Sequence, residues 1–363
     1  MDNRIRVLHV ITGMGSGGAE MFLINMYRNM DHSRIVFDFL LQSDENLYRK
    51  ELESYGSRIY QIPAYFEHPL QNRTQLREVL KQPFSAIHVH ANALLYVLPL
   101  FAAKKAGVPC RIMHSHSSSM YYKWAMPWHQ LNRKRIKRCA THCFACSDPA
   151  GHWMFEGPYT VIQNAIDLDA FSFQPELRSQ QRHVLGIEEE TLVLGQVGRL
   201  SEVKNQLFTL DCFSHIVRQR PDSLLLFVGS GYMESELRSQ AQQLGIIDRI
   251  RFLGIRTDVN LLENVFDAVL CPSLYEGLGI TVIEAQANGL PVFCSTAVPD
   301  QAAVSADVRR LPLEAGPAAW AEEILKNSLE RRDHRRQLED AGYDVRLEAK
   351  KLQAFYLAAE KER

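Results

Sequence analysis

What most restricts this chain is an alternation of short β-branched runs with amphipathic stretches, made once and then made again. IRVLHVI (5–11), IVFDFLL (35–41), RIYQI (58–62), AIHVH (86–90), CRIM (110–113) and HCFAC (142–146) predict strands, with helical patterns such as AEMFLINMYRNM between them. Alternation at this spacing builds a parallel sheet with helices on both faces. The pattern restarts with TLVLGQVG (191–198), SLLLFVG (223–229), RIRFLG (249–254), DAVLCPS (267–273) and LPVFCS (290–295). We expect an α/β chain of two doubly wound domains, 1–170 and 171–344, joined near the polar stretch NAIDLDAFSFQPELRSQ (164–180). A length of 363 residues suits two domains of ordinary size.

Composition narrows the setting. The start, MDNRIRVLHVIT, runs straight into a strand with no secretory leader, and the longest apolar run, Ala93 to Ala103, is too short to span a bilayer. Seven cysteines, several in apolar strand-like runs, fit reduced thiols in a cytoplasmic protein. The net charge of −1 hides an asymmetry: residues 1–167 carry 19 Lys/Arg against 13 Asp/Glu, and the remainder 22 against 29. No acidic residue occurs between Val79 and Ser147. A basic half joined to an acidic half points to an anionic partner for the first.

Open parallel sheets bind ligands at the carboxyl ends of their strands, so the residues that follow strands carry the information. ITGMGSGGAE (11–20) places glycines where backbone N–H groups meet a ligand at a helix start, and the helix dipole there favours anions. A glycine-rich turn of this kind also occurs with no ligand at all. GQVGRLSEVKNQ (195–206) sets Arg199 and Lys204 just past a strand, a pair suited to a pyrophosphate, although a solvated helix start looks the same. CPSLYEGLGITVIEAQANGLPVFCS (271–295) reads as strand, glycine turn and helix, with Glu276 in the turn and Glu284 about one turn into the helix. Carboxylates beside a phosphate repel it unless hydroxyl donors are there to be accepted from. The vicinal diols of a sugar or a ribose are such donors, so the pair looks built for a nucleotide-sugar.

Glu276, seven residues, then Glu284 resembles the Glu-x7-Glu motif of the retaining family 4 glycosyltransferases, which have the two-Rossmann GT-B fold. GGAE (17–20), HSHS (114–117), VIQNAID (161–167), VGRLSEVKN (197–205), RFLGIRTDV (251–259) and PSLYEGLGITVIEA (272–285) occur in the family's order. Within that family the chain is most similar to exopolysaccharide and capsule assembly enzymes, through HSHS and the stretches ACSDPAG and VPD…W. The resemblance implies an N-terminal acceptor domain, a C-terminal donor domain, a cleft between them, and a last helix (345–363) crossing back onto the first. Glu276 would hold hydroxyls of the donor sugar, and Glu284 the ribose diol. Arg199 and Lys204 would neutralise the departing diphosphate, which Gly17 and Gly18 approach from the other domain. Gly277, Leu278 and Gly279 form the turn around the donor, and the backbone of Gly254, Ile255 and Arg256 takes the nucleobase. His116 is the family's histidine near sugar and acceptor, with His114 as runner-up. NAID stands where Asn-Gly-x-Asp is usual, so Asn164 keeps its place but its turn loses a glycine. EGLG replaces the commoner Glu-Gly-Phe-Gly.

The implied reaction transfers a hexose-type sugar from a nucleotide diphosphate, with UDP favoured, to a glycan or lipid-linked acceptor with retention. No cofactor or metal is required, and nucleic acid is not a partner. DLD (167–169) resembles an Asp-x-Asp metal site but falls in the linker. Cys139, His142, Cys143 and Cys146 fit no common zinc spacing, and HCFAC reads as a buried strand. MYYKWAMPWHQLNRKRIKR (120–138) reads as an interfacial segment on anionic lipid at the inner face of the membrane, with a solvated basic helix as the alternative. A dehydrogenase would need an acidic residue ending the second strand, where Gln42-Ser43-Asp44 is a poor candidate. A hydrolysing epimerase would need acid–base carboxylates in the first domain, which cannot be placed. A non-catalytic nucleotide-sugar binder would need no histidine.

Overall fold

The computed structural model of the protein describes residues 4–15, 17–120 and 123–361. The chain divides into two compact units, Met1–Ala165 with Val345–Arg363, and Ile166–Asp344.

The first unit is built on a parallel sheet of seven strands: β1 (Ile5–Ile11), β2 (Ile35–Leu41), β3 (Ile59–Gln61), β4 (Ala86–Ala91), β5 (Cys110–Ser115), β6 (His142–Ala145) and β7 (Thr160–Val161). Their spatial order is β3-β2-β1-β4-β5-β6-β7, so the winding reverses between β1 and β4. Side chains alternate across a strand, and two cores follow from that period. Val7 and Ile11 of β1, Ala86 of β4 and Ile112 of β5 pack in one core with helix Gly18–Arg28. Leu8, Val10, Ile87, Val89 and Met113 pack in the other. Helix Val345–Lys361 adds Val345, Ala349, Leu352 and Tyr356 to the first core, at the spacing of one helical face. Val345 and Leu352, so buried, each contribute about 1.5–3 kcal/mol.

The second unit holds six parallel strands: β8 (Leu192–Val197), β9 (Ser223–Val228), β10 (Ile250–Phe252), β11 (Ala268–Cys271), β12 (Val292–Ser295) and β13 (Val308–Leu311). The order β10-β9-β8-β11-β12-β13 puts the reversal between β8 and β11. Both stretches singled out in this half, Arg199–Lys204 and Glu276–Glu284, begin just past those two strands.

Three details differ from the reading of the sequence. The second unit begins at Ile166, within the stretch 164–180 expected to hold the joint but before the boundary drawn at 170, because Ile166 N–H donates to the Tyr343 carbonyl at 3.0 Å and its side chain belongs to that unit's core. Strand β5 runs on through His114 and Ser115 instead of stopping at Met113. Edge strands β7 and β13 were not foreseen. β7 has two residues, and β13 (VRRL) carries two arginines in a partly exposed run.

Candidate active site

In the second unit the ends of β8, β9 and β10 are drawn tightly together by glycines. Gly198 and Gly229 have φ of 143° and 134°, and a Cβ on Gly229 would stand 2.1 Å from the Gly198 carbonyl oxygen. Gly229 N–H donates to the Gly254 carbonyl at 2.8 Å, with Gly254 at φ 68°. Only glycine adopts such backbone freely. Past Gly198 the Arg199 guanidinium is exposed and makes no hydrogen bond or ion pair with a described residue. Lys204 closes a 3-10 turn, Glu202–Lys204, and Asn205 follows in the left-handed region at φ 53°. Asparagine tolerates that conformation, and here it caps helix Gln206–Gln219.

The loop after β11 is tied to this one. Asn205 Nδ2 donates to the Pro272 carbonyl at 3.1 Å, and Leu274 N–H to the Val203 carbonyl at 2.8 Å. Across the tie, Lys204 Nζ donates to Glu276 Oε1 at 2.6 Å, and Ser273 Oγ donates to the same oxygen at 2.7 Å. Burial alone pulls the Lys204 ammonium down. Glu276, Cys271 and Glu284 outweigh it and hold the group above its ordinary value. Gly279, at φ 87°, turns the chain into helix Ile280–Ala287, where Glu284 is buried. Burial pushes the Glu284 carboxyl up to about 7 even though Lys204 pulls it down. Behind it lies Glu263, fully buried and with neither carboxylate oxygen hydrogen-bonded; burial and the neighbouring Glu284 raise it well above the usual range.

The structure thus brings Lys204, Glu276 and Glu284 together around the reversal point of the second sheet. Gly277, Leu278 and Gly279 form the turn between the two glutamates, with Leu278 buried. Ile255 is exposed beside Gly254, while the Arg256 guanidinium is held by Asp258, Nε to Oδ1 at 2.7 Å. The carboxylates of DLD are engaged locally. Asp167 Oδ1 accepts from the N–H groups of Asp169 and Ala170, and Asp169 pairs with Arg335.

In the first unit, Gly17 caps helix Gly18–Arg28. A Cβ on Gly18 would meet nothing within 4 Å, whereas one on Gly17 would stand 2.5 Å from the Glu20 carboxylate. His114 lies inside β5 and is fully buried; His116 stands just past the strand and is partly exposed. Neither acts alone. His116 Nε2 lies 2.8 Å from His90 Nδ1, and His114 Nδ1 lies 3.1 Å from His88 Nε2. His9 Nδ1 meets His90 Nε2 at 3.0 Å, and His88 Nδ1 meets the Tyr356 hydroxyl at 2.6 Å. Burial drives all five imidazoles down, His9 and His116 to about 3, so they are neutral. The sequence reading missed His9, His88 and His90. Its signal was the same-parity spacing of HVH and HSH on adjacent strands.

Two doubly wound parallel sheets in succession, with cations and carboxylates gathered at the reversal point of the second, define the GT-B architecture. The chain belongs to the glycosyltransferases: residues 178–345 match the family Glycosyl transferases group 1, and residues 16–170 match Glycosyltransferase Family 4. Among its relatives is EpsF of Bacillus subtilis strain 168, itself named only provisionally as a glycosyltransferase. It is 33% identical, over 94% of this chain and 93% of that one. The UDP-Gal:alpha-D-GlcNAc-diphosphoundecaprenol alpha-1,3-galactosyltransferase of Escherichia coli is 26% identical over 59% of this chain and 58% of its own. Among solved structures, HepE of Anabaena in complex with UDP-glucose superposes with a TM-score of 0.73 at 19% identity, covering 99% of this chain and 98% of that one. A glycosyltransferase from Rickettsia africae gives 0.76 at 15% identity, over 99% and 100%.

Proposed function

We propose that this glycosyltransferase moves a hexose-type sugar from a nucleotide diphosphate, of the UDP class, to a hydroxyl of a glycan or lipid-linked acceptor in surface polysaccharide assembly, with retention at the anomeric carbon. The observation that carries the reading is the cluster of Lys204, Glu276 and Glu284 at the reversal point of the second sheet, with Arg199 just past β8 making no hydrogen bond or ion pair with a described residue. A diphosphate offers Lys204 and Arg199 the anionic oxygens they suit, and releases Glu276 to accept from sugar hydroxyls. Glu284, ionised, accepts from the ribose diol. Gly18, open above its backbone, offers N–H groups at a helix start. HepE was solved with UDP-glucose, and the Escherichia coli relative is named for a UDP-sugar donor and a diphosphoundecaprenol acceptor; the two names support the donor class, and the second supports the lipid-linked acceptor.

In this mechanism the bond from the anomeric carbon to the phosphate oxygen breaks, and the acceptor oxygen bonds to that carbon on the same face. The acceptor proton passes to the departing phosphate. Arg199 and Lys204 stabilise the charge that develops there, which is electrostatic catalysis needing no metal for the leaving group. His116, beyond the end of β5, is the histidine assigned to sugar and acceptor.

The acceptor would be met at the inner face of the cell membrane. Among the described residues no helix is long and apolar enough to cross a bilayer. Trp124 (74% exposed), Trp128 (61%) and Leu131 (39%) instead follow one another at helical spacing along and just before helix Met126–Arg135. Lys134, Arg135, Lys137 and Arg138 are exposed with them, while His129 and Ile136 face inward. Tyr121 and Tyr122 lie outside the described residues. Exposed tryptophans ringed by cations suit an anionic lipid surface.

The reading is tested by incubating the protein with UDP-sugars and a lipid-linked acceptor and determining the anomeric configuration of the product by NMR. An inverted product contradicts same-face attack, and no product with any donor contradicts the reading as a whole.

A further inference from the structure

The first unit contains a group of imidazoles that the proposed donor chemistry leaves almost unused. Parallel register sets His9 beside His88 and His90 beside His114. Because same-parity residues share a sheet face, His9, His88, His90 and His114 all point into the core beneath helices Gly18–Arg28 and Val345–Lys361. His116 follows on the same parity. One ring nitrogen from each of His90, His114 and His116 lies within 4.8 Å of the others.

We propose that His90, His114 and His116 form a binding site for a divalent transition metal of the zinc, cobalt or copper class. Three observations carry this. The donor set is imidazole alone, which suits those ions and not magnesium or calcium. The nitrogens left for an ion are His90 Nδ1 and His116 Nε2, facing each other at 2.8 Å, and His114 Nε2, buried with no hydrogen-bond partner. Tetrahedral ligands at zinc–nitrogen distances stand about 3.3 Å apart, so the first two need to separate by roughly half an ångström.

The third observation is the support behind the ligands. A metal-bound imidazole characteristically has its other nitrogen held by a further group, which fixes tautomer and ring orientation. His90 Nε2 is held by His9 Nδ1 at 3.0 Å. His114 Nδ1 is held by His88 Nε2 at 3.1 Å, and His88 Nδ1 in turn by the Tyr356 hydroxyl at 2.6 Å. The outer imidazoles therefore leave the inner nitrogens aimed at one place. Phe22 packs edge-on to His114 at 4.9 Å and close to His116 at 5.5 Å, giving the site an apolar wall. His116, partly exposed, supplies the way in. The ion takes its Nε2, while its Nδ1 is buried without a hydrogen-bond partner.

The test uses the full chain without a histidine tag, stripped with chelator and dialysed, then titrated with Co2+ and followed by visible absorption. The expected result is saturation at one equivalent, with the intense bands of a tetrahedral nitrogen site and no thiolate charge-transfer band. Zn2+ should displace the colour and raise Tm. His114→Ala and His116→Ala should each weaken Co2+ at least tenfold while UDP binding, proposed to rest on Arg199, Lys204 and Glu284, persists. Should either variant fail to fold, the wild-type spectrum still decides. Absence of a tetrahedral spectrum, a thiolate band, or undiminished binding in folded variants overturns the site. Loss of UDP binding in the unaltered protein counts against the donor reading and leaves the metal site standing.

Discussion

Lys204 Nζ and Glu276 Oε1 sit 2.6 Å apart, joining the loop after β8 to the loop after β11 across the reversal point of the second sheet. Neither residue is free to meet a ligand without the other responding. On the proposed function, a diphosphate arriving at Lys204 would replace a carboxylate with phosphate oxygens, and the displaced carboxylate would gain hydroxyls to accept from. Donor binding and sugar positioning would then be coupled through one ion pair.

That coupling separates the two glutamates. Glu276→Ala should lower turnover far more than affinity for the nucleotide diphosphate, because its partner is the sugar. Glu284→Ala should weaken the nucleotide itself by roughly tenfold or more, the equivalent of a charged hydrogen bond worth about 1.5–3 kcal/mol. Calorimetry with UDP and initial rates with UDP-sugar decide it. Equal losses of UDP affinity in both variants contradict the division.

Replacing the cation tests the pair from the other side. Lys204→Met leaves the partly buried Glu276 carboxylate without its cation while the Ser273 hydroxyl and the Cys271 thiol still donate to it. Turnover should fall by at least about a hundredfold, as expected when transition-state charge loses a preorganised partner. If kcat/KM for UDP-sugar stays within a few-fold of wild type, Lys204 does not meet the leaving group.

A pH dependence follows from Glu284. Its folded value of about 7 lies above the ordinary 4.5, so the folded state holds a proton that the unfolded chain gives up. Stability from this group is full below 4.5 and is lost as pH rises through about 7. Relative to wild type, Glu284→Gln should gain stability over that window, by on the order of 3 kcal/mol at its upper end, as read by urea unfolding. Ribose recognition runs the other way, because the diol needs an ionised acceptor. UDP affinity of the wild type should rise through about pH 7 and flatten in Glu284→Gln. Lys204 pulls this carboxyl down, so Lys204→Met should move the midpoint up. A UDP affinity independent of pH in wild type removes Glu284 from the nucleotide site.

The order of informative residues explains what could be read in advance. Arg199, Lys204 and Glu276 stood out as candidates because they follow strands closely, where a parallel sheet places its ligand groups, and Glu284, inside helix Ile280–Ala287, stood out through its spacing from Glu276. Two tightly buried strands, β8 and β11, gave unambiguous apolar runs. What escaped depends on pairing between distant segments. His9, His88 and His114 meet only through strand register, and Tyr356 reaches His88 from the far end of the chain. Asn205 carries no signal of its own in that stretch, and only the left-handed backbone at φ 53° shows it as the hinge into a helix. Glu263 sits in LLENVFD, where a helix of five residues gives too little periodicity to show its buried face.

Membrane attachment is tested by co-sedimentation with vesicles. Wild type should pellet with anionic vesicles at low salt and be released by high salt, while neutral vesicles leave it in solution. Glutamine at Arg133, Lys134, Arg135, Lys137 and Arg138 should abolish pelleting, since each cation near the surface contributes about 1 kcal/mol. Arg133 also donates to the His152 carbonyl at 3.0 Å, so a second variant sparing it keeps the helix anchored. If wild type stays in the supernatant with anionic lipid, the helix is a solvated one and the acceptor is met in solution.

The central claim is that Arg199 and Lys204 hold a nucleotide diphosphate without a metal and stabilise it as it leaves. Its most direct test is release of nucleotide diphosphate from a panel of UDP-sugars in the presence of chelator, measured for wild type, Arg199→Ala and Lys204→Met. The account predicts slow release by wild type without acceptor, faster release with it, no loss to chelator, and a fall of at least about a hundredfold in each variant. Release that vanishes with chelator, or that persists undiminished in both variants, contradicts it.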